Sequence, residues 1–175
     1  MGIRASAVVL AILATQGAFR WSADRRLAWD DYRAQPDLSS PASAMTVYAV
    51  AFNDGCTDDK YWQTVSLEFL PDKSWVKFEA LYQRNPRVLA HEQSHFDLAE
   101  VHVRRIRRAV LSLAQPCDMG HEARDRIAQK IVQADRDDQK RYDQETAFGV
   151  DSGKQAEWTR RIDRELAALA SYARK

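Results

Sequence analysis

The sequence lacks several features that would assign it at once to a common class of protein. Its 26 basic and 25 acidic residues leave a net charge of +1, so no overall positive charge is available to attract nucleic acid. Only two cysteines are present, and neither has a second cysteine or a histidine at zinc-finger spacing. Internal repeats and low-complexity tracts are also missing. The 175 residues therefore suit one domain with a sizeable core.

Long apolar runs are confined to the N-terminus. Arg4 precedes a nearly continuous apolar run over residues 5–14, the pattern of a secretory signal peptide. The run is shorter than the roughly 20 residues that a membrane-spanning helix needs, and no later run is as apolar. We therefore predict a signal peptide over residues 1–18, or an uncleaved anchor, and a single periplasmic or secreted domain over residues 21–175. The alternative is a cytosolic helical interaction protein, in which this apolar run forms a buried helix.

The two cysteines are predicted to pair after export. An even number of cysteines in an exported chain favours a disulfide, here between Cys56 and Cys117. Closing a loop of about 60 residues would stabilise the fold by roughly 2–4 kcal/mol. The alternative is a cytosolic protein with two free thiols.

Glycine and proline are scarce in the second half of the chain, where the hydrophobic pattern is helical. The first half instead contains alternating apolar and polar runs that are typical of strands. The predicted fold class is α+β, with a small antiparallel sheet packed on long helices in a zincin-like arrangement. The predicted strands are Met45–Phe52, Tyr61–Leu70 and Trp75–Phe78, with a turn at Asn53–Gly55, and the predicted helices run from about Asn85 to Ala114, Glu122 to Thr146 and Lys154 to Tyr172.

Histidine is rare, yet two of the four histidines lie four residues apart with a glutamate between them. His91-Glu92-Gln93-Ser94-His95 is an H-E-x-x-H sequence within the first predicted helix. Two imidazoles at this spacing project from one helix face and can bind one zinc ion, while Glu92 can accept a proton from water. The alternative is a polar helix face that carries these residues by chance.

The surrounding sequence supports a long helix with its histidines turned inward. Asn85-Pro86 is a typical helix start, and His91, His95 and His102 share one stripe with apolar residues. The basic run Arg104–Arg108 is predicted to be a solvated face, with Arg104 in an exposed pair with Glu100.

A catalytic zinc ion usually has three protein ligands, so a third must come from elsewhere. His102 lies about 10.5 Å from His95 along a straight helix, which is too far for one ion. Glu145 shares an apolar stripe of the second helix and is the predicted third ligand, although Asp138 falls on the same stripe. Tyr142 is predicted to donate a hydrogen bond to a reacting carbonyl. The alternative is that the stripe frays into solvent at Glu145.

Several segments resemble one bacterial family. They are Leu27–Tyr32, Leu89–Glu100, Tyr142–Thr146 and Gln155–Trp158. These segments are similar to the bacterial domain of unknown function 922 group, for which secreted zinc-dependent proteolysis is the suggested activity. The family usually carries a histidine where this chain has Phe148.

The resemblance and the motif together lead to one functional expectation. We expect a zinc-dependent metallopeptidase of the bacterial cell envelope that hydrolyses peptide or protein substrates, with Zn²⁺ on His91 and His95 and with Glu92 as general base. The alternative is an inactive, zincin-like envelope binding module, because Phe148 replaces the family histidine.

Overall fold

The computed structural model describes residues 17–79 and 84–173. The predicted signal peptide lies almost wholly outside these residues. None of the described helices is long and apolar enough to cross a membrane.

Within the described residues, five strands form two small antiparallel sheets. They are β1 (Phe19–Arg20), β2 (Ala44–Met45), β3 (Tyr48–Thr57), β4 (Lys60–Phe69) and β5 (Trp75–Val76). The larger sheet has the order β1-β4-β3, and β2 pairs with β5 in the smaller one. The predicted α+β class is confirmed. The predicted strands Tyr61–Leu70 and Trp75–Phe78 are present with shifted ends, whereas the predicted strand Met45–Phe52 is divided between β2 and β3, which lie in different sheets.

The turn between β3 and β4 lies later than predicted. Asn53, Asp54 and Gly55 are part of β3, and the chain reverses at Asp58–Asp59, where both residues have positive φ. Aspartate tolerates this left-handed conformation better than most residues, and it suits a two-residue hairpin. The predicted turn at Asn53–Gly55 is wrong because the Asp54 carboxylate is buried against Arg124, which holds this segment in the strand.

The part of the chain that the structure describes contains three long α-helices, which are α1 (Pro86–Leu111), α2 (His121–Thr146) and α3 (Ser152–Ala168). The start of α1 agrees with the prediction, since the Asn85 side chain accepts a hydrogen bond from the Arg87 amide at 3.0 Å and Pro86 is the first helical residue. The third predicted helix is shorter than expected. It ends at Ala168, and a single 3₁₀ turn follows over Ala170–Tyr172.

α1 is the central helix, because it contributes side chains to two hydrophobic clusters on different sides. The cluster between α1 and the larger sheet includes Val65, Leu67, Phe69, Phe96, Val103 and Ile106. The cluster among α1, α2 and α3 includes Leu98, Val101, Tyr142, Trp158 and Ile162. α1 is therefore packed on both sides.

This central position overturns the prediction that Arg104–Arg108 is a solvated face. Arg104 is 6% exposed and Glu100 is 3% exposed. The Arg104 Nε–Glu100 Oε1 pair (2.9 Å) is buried, and Arg107 also donates to Glu100 and to the Val65 carbonyl. Of the five residues in this run, only Arg108 is exposed. The sheet and the C-terminal turn cover this side of α1, and the helical pattern alone does not reveal that coverage.

The predicted disulfide is confirmed. Cys56, near the end of β3, is bonded to Cys117 in the loop after α1, with a Cα–Cα distance of 5.9 Å. The bond closes a loop with a sequence separation of 61 residues and ties the hairpin to the start of α2.

We expect loss of this disulfide to lower the free energy of unfolding by about 2–4 kcal/mol, because the unfolded chain gains conformational freedom. Urea unfolding of the Cys56→Ser/Cys117→Ser variant measures the effect. Wild-type protein treated with reductant should match the variant. Equal midpoints for oxidised and reduced wild type would contradict the expectation.

Candidate metal centre

Three side chains from two helices converge on one point. His91 and His95 lie one turn apart on α1, and their Nε2 atoms are 3.1 Å from each other. The Oδ1 atom of Asp143, on α2, lies 3.1 Å from Nε2 of His91 and 3.0 Å from Nε2 of His95. Among the residues that the structure describes, these three form the one group of at least three potential metal ligands.

The opposite nitrogen of each imidazole is held by a glutamine. Nδ1 of His91 lies 3.1 Å from Oε1 of Gln155, and Nδ1 of His95 lies 2.6 Å from Oε1 of Gln139. An amide oxygen can only accept, so each Nδ1 carries the hydrogen and each Nε2 is left as the ligand atom in the neutral ring. Both rings are therefore oriented with Nε2 toward Asp143.

The orientation of the Gln139 amide is fixed by its other contacts. Its Nε2 donates to the carbonyl of His95 and to Oδ1 of Asp135, both at 3.0 Å. Asp135 is itself buried and accepts from the Tyr48 hydroxyl at 2.6 Å. A chain of hydrogen bonds thus runs from the sheet through α2 to the His95 ring.

The Gln155 amide is fixed in the same manner. Its Nε2 donates to Oγ of Ser94 at 3.2 Å, and its Oε1 accepts from the Tyr142 hydroxyl at 2.7 Å. The Tyr142 ring also stacks on the His91 ring, with 4.6 Å between the centroids. The His91 ring is therefore held both by stacking and by a hydrogen bond.

The charges at this site favour a cation. Burial opposes ionisation of Asp143, but hydrogen bonds from His91 and His95 outweigh it and hold the pKa of this carboxyl well below its usual range. Burial likewise lowers the pKa of His95, but the bond to Asp143 and the nearby charges of Glu92 and Asp143 raise it to about 8. A divalent cation at the same point would replace the proton that this arrangement retains.

Glu92 adds a buried carboxylate with an unsatisfied atom. The residue is 3% exposed, and its Oε2 has no hydrogen-bond partner among the residues described. A buried polar atom without a partner is costly, and such atoms are rare outside functional sites. Glu92 is thus placed to bind water or a ligand.

An open cleft of about 330 Å³ gives access to these groups. Glu92, His95 and Asp143 lie on one side of it, and residues from the segment 40–48 lie on another, with Phe148 also in the lining. The cleft is therefore a possible entry path for a substrate.

The structure does not place Glu145 with the two histidines. Its Oε2 accepts a hydrogen bond from Nε1 of Trp158 at 2.8 Å, and Asp143 occupies the place that the sequence analysis gave to Glu145. Glu145 does not face α1, because Tyr142 and Thr146 are the most buried residues of this turn of α2. The face of α2 that meets α1 is therefore centred nearer to Asp143 than the predicted apolar stripe.

Tyr142 also has a different position from the one predicted. It is fully buried, its hydroxyl faces Gln155 and the His91 carbonyl, and it is not among the residues that line the cleft. Its contacts support the His91 ring and do not direct a hydrogen bond into the cleft.

His102 agrees with its prediction as a residue of the interior. Its Nε2 lies 3.1 Å from Oδ2 of Asp138. Asp138, which shares the predicted stripe with Glu145, is therefore paired with His102. His102 lies about two helical turns beyond His95 on α1.

Four residues of the site were not predicted to be part of it: Asp143, Gln139, Asp135 and Gln155. The first three recur every four residues, so they form one polar stripe on α2. A continuous polar stripe beside an apolar one is a signal that could have identified them. No comparable periodic signal marks Gln155 on α3.

Comparison with known proteins identifies a family. Residues 71–149 match the family described as "Bacterial protein of unknown function (DUF922)". The matched segment includes α1 and α2, and so all three potential ligands and Glu92. Searches of curated proteins and of solved structures found no significant match. The match over residues 71–149 supports a relationship of this part of the chain to the bacterial DUF922 family.

Proposed function

We propose that this protein is a zinc-dependent metallopeptidase of the bacterial cell envelope. The observation that carries the proposal is the convergence of His91 Nε2, His95 Nε2 and Asp143 Oδ1 beside the unpartnered carboxylate oxygen of Glu92. A catalytic zinc site usually has three protein ligands and one open coordination position for water or substrate.

The donor set fits zinc in type and in charge. Two imidazoles and a carboxylate are typical zinc ligands, and the glutamines behind the rings are the outer partners that such ligands usually have. Asp143 and Glu92 together carry two negative charges, which a divalent cation between neutral imidazoles would balance. Zinc bound there would polarise a carbonyl and lower the pKa of bound water toward about 7.

The residues of this chain then have separate tasks. Glu92 accepts a proton from the attacking water at its unpartnered oxygen and later returns it to the leaving amine. Gln139 and Gln155 hold the rings of His95 and His91. Asp143, which lies between the two rings, would supply the carboxylate ligand.

An extended peptide suits the shape of the cleft. β2 forms one wall of the cleft, and in the described residues its sole strand partner is β5. The other edge of β2 therefore has backbone groups that a peptide substrate can bind as an added strand. The Cys56–Cys117 disulfide supports a location outside the reducing cytosol. The zincin-like character expected from the sequence is part of this proposal.

A non-catalytic binding module is the second candidate. It is favoured by Phe148, whose ring lies in the cleft lining and is half exposed. In this case the site would bind metal and peptide but would not hydrolyse the bond.

Zinc content and chelation test the proposal. We expect the purified, disulfide-bonded chain to hold roughly one zinc ion and to cleave a mixed library of quenched fluorescent peptides. Dialysis against a chelator should abolish cleavage, and added zinc should restore it. Cleavage that persists in metal-free protein would contradict the proposal. Zinc binding with peptide binding but no cleavage would favour the second candidate.

A further inference from the structure

Two large apolar side chains in the lining of the cleft are partly open to solvent. Met45 on β2 is 43% exposed, and Phe148, after α2, is 47% exposed. Both line the cleft that contains Glu92 and His95, together with Pro41 and Ala42. Large apolar side chains left open to solvent at a concave site often mark a binding surface.

The backbone fixes Phe148 in this position. Ala147, Phe148 and Gly149 all have positive φ, a conformation that residues with a Cβ rarely adopt. The Phe148 amide donates to the Asp143 carbonyl at 2.9 Å, which ties Phe148 directly to a residue of the metal centre. Strained backbone of this kind is typical of functional sites.

The neighbouring glycine packs against the metal centre from the same loop. A Cβ at Gly149 would lie 3.0 Å from Cβ and Cγ of His91, so this position has no room for a side chain. The backbone of this loop therefore lies directly against His91, one residue after Phe148.

The charges around the cleft do not suit a charged substrate side chain. Among the described residues, no lysine or arginine lines it, so an acidic side chain would meet no cationic side chain in this lining. The ionisable groups at its wall, Glu92, His95 and Asp143, belong to the centre already described. A basic side chain would compete with the metal for these carboxylates.

We propose that the cleft receives a bulky apolar side chain of the peptide, next to the bond that is cleaved, with Phe148 and Met45 as specificity-determining residues. The inference rests on the proposed function, because it assigns the substrate of the same site. The cleft would then bind peptides with leucine- or phenylalanine-like side chains in preference to peptides with small or charged side chains.

Ligand binding can be tested without any measurement of hydrolysis. The chain has three methionines, Met1, Met45 and Met119, so ¹³C-methyl labelling gives few signals, and Met45→Leu assigns the one of interest. We expect N-acetyl-phenylalaninamide and N-acetyl-leucinamide to shift the Met45 signal in a saturable manner. N-acetyl-lysinamide and the corresponding glutamate compound should leave it unchanged. Met119, which does not line the cleft, is the internal control.

A pair of matched variants identifies the contact. Phe148→Ala should abolish the saturable shift of Met45, whereas Val150→Ala, in the same loop and 80% exposed but outside the cleft lining, should not alter it. An equal Met45 shift with charged and apolar compounds would overturn the inference, and so would an unaltered shift in Phe148→Ala.

Cleavage of a peptide library gives the second measurement. Zinc-loaded wild type should favour bulky apolar residues beside the cleaved bond, and Phe148→Ala should lower kcat/KM for these peptides about tenfold relative to alanine peptides. Cleavage without this preference would overturn the inference while leaving the proposed function intact. A saturable Met45 shift without cleavage of any peptide would contradict hydrolysis but support the apolar binding site.

Discussion

Replacing Asp143 with alanine is expected to weaken zinc binding by more than about 100-fold, since loss of only an outer hydrogen-bond partner already costs about 10–100-fold. The reason is geometric: Oδ1 of Asp143 lies 3.1 and 3.0 Å from the two Nε2 atoms, where it would complete the proposed ligand set. A competition titration with a chromophoric chelator measures the affinity, and elemental analysis measures the zinc retained.

Glu145→Ala is the matched control, because Glu145 lies two residues away on the same helix and its carboxylate binds Trp158. We expect this variant to bind zinc as wild type does. Thermal unfolding in the presence of a chelator shows whether either variant has lost its fold. If Glu145→Ala lost zinc and Asp143→Ala retained it, the ligand set proposed from the structure would be wrong.

Replacing Glu92 with glutamine is expected to lower kcat by about 10²- to 10⁴-fold, because the amide cannot accept the proton of the attacking water. Zinc content should remain at the wild-type level, since Glu92 is not one of the three converging ligands. Stability of the zinc-free protein should not fall, because the change removes a buried charge whose Oε2 has no partner in the described structure.

Peptide cleavage, zinc analysis and urea unfolding of the same preparation test these three expectations together. Glu145→Gln is the isosteric control, and it should leave all three unchanged. Full activity in Glu92→Gln would assign the general base to another group. A large loss of stability would instead show that the Glu92 carboxylate has a structural role.

The sequence was most informative where the deciding interactions are local. Asn85 and Pro86 define the start of α1 because capping depends on residues within one turn. The H-E-x-x-H spacing places His91 and His95 on one face of that helix for the same reason. The disulfide followed from the number of cysteines.

The errors have a common origin in contacts between distant segments. The predicted turn at Asn53–Gly55 failed because Asp54 pairs with Arg124, 70 residues further along the chain. Arg104 was expected to be exposed, but its Nη1 donates to the Leu166 carbonyl and it is buried with Glu100. Long-range partners of this kind leave no periodic pattern.

The sequence by itself determined the two imidazoles, the glutamate between them and the helix that carries all three, because helical geometry fixes residues four apart relative to each other. Only the tertiary structure decided that Asp143, and not Glu145, meets these imidazoles. That choice depends on the rotation of α2 about its own axis, which is set by packing of Tyr142 against His91 and by the bond between Tyr48 and Asp135. Such a rotation is a property of the packed helices together, and no single helical pattern specifies it.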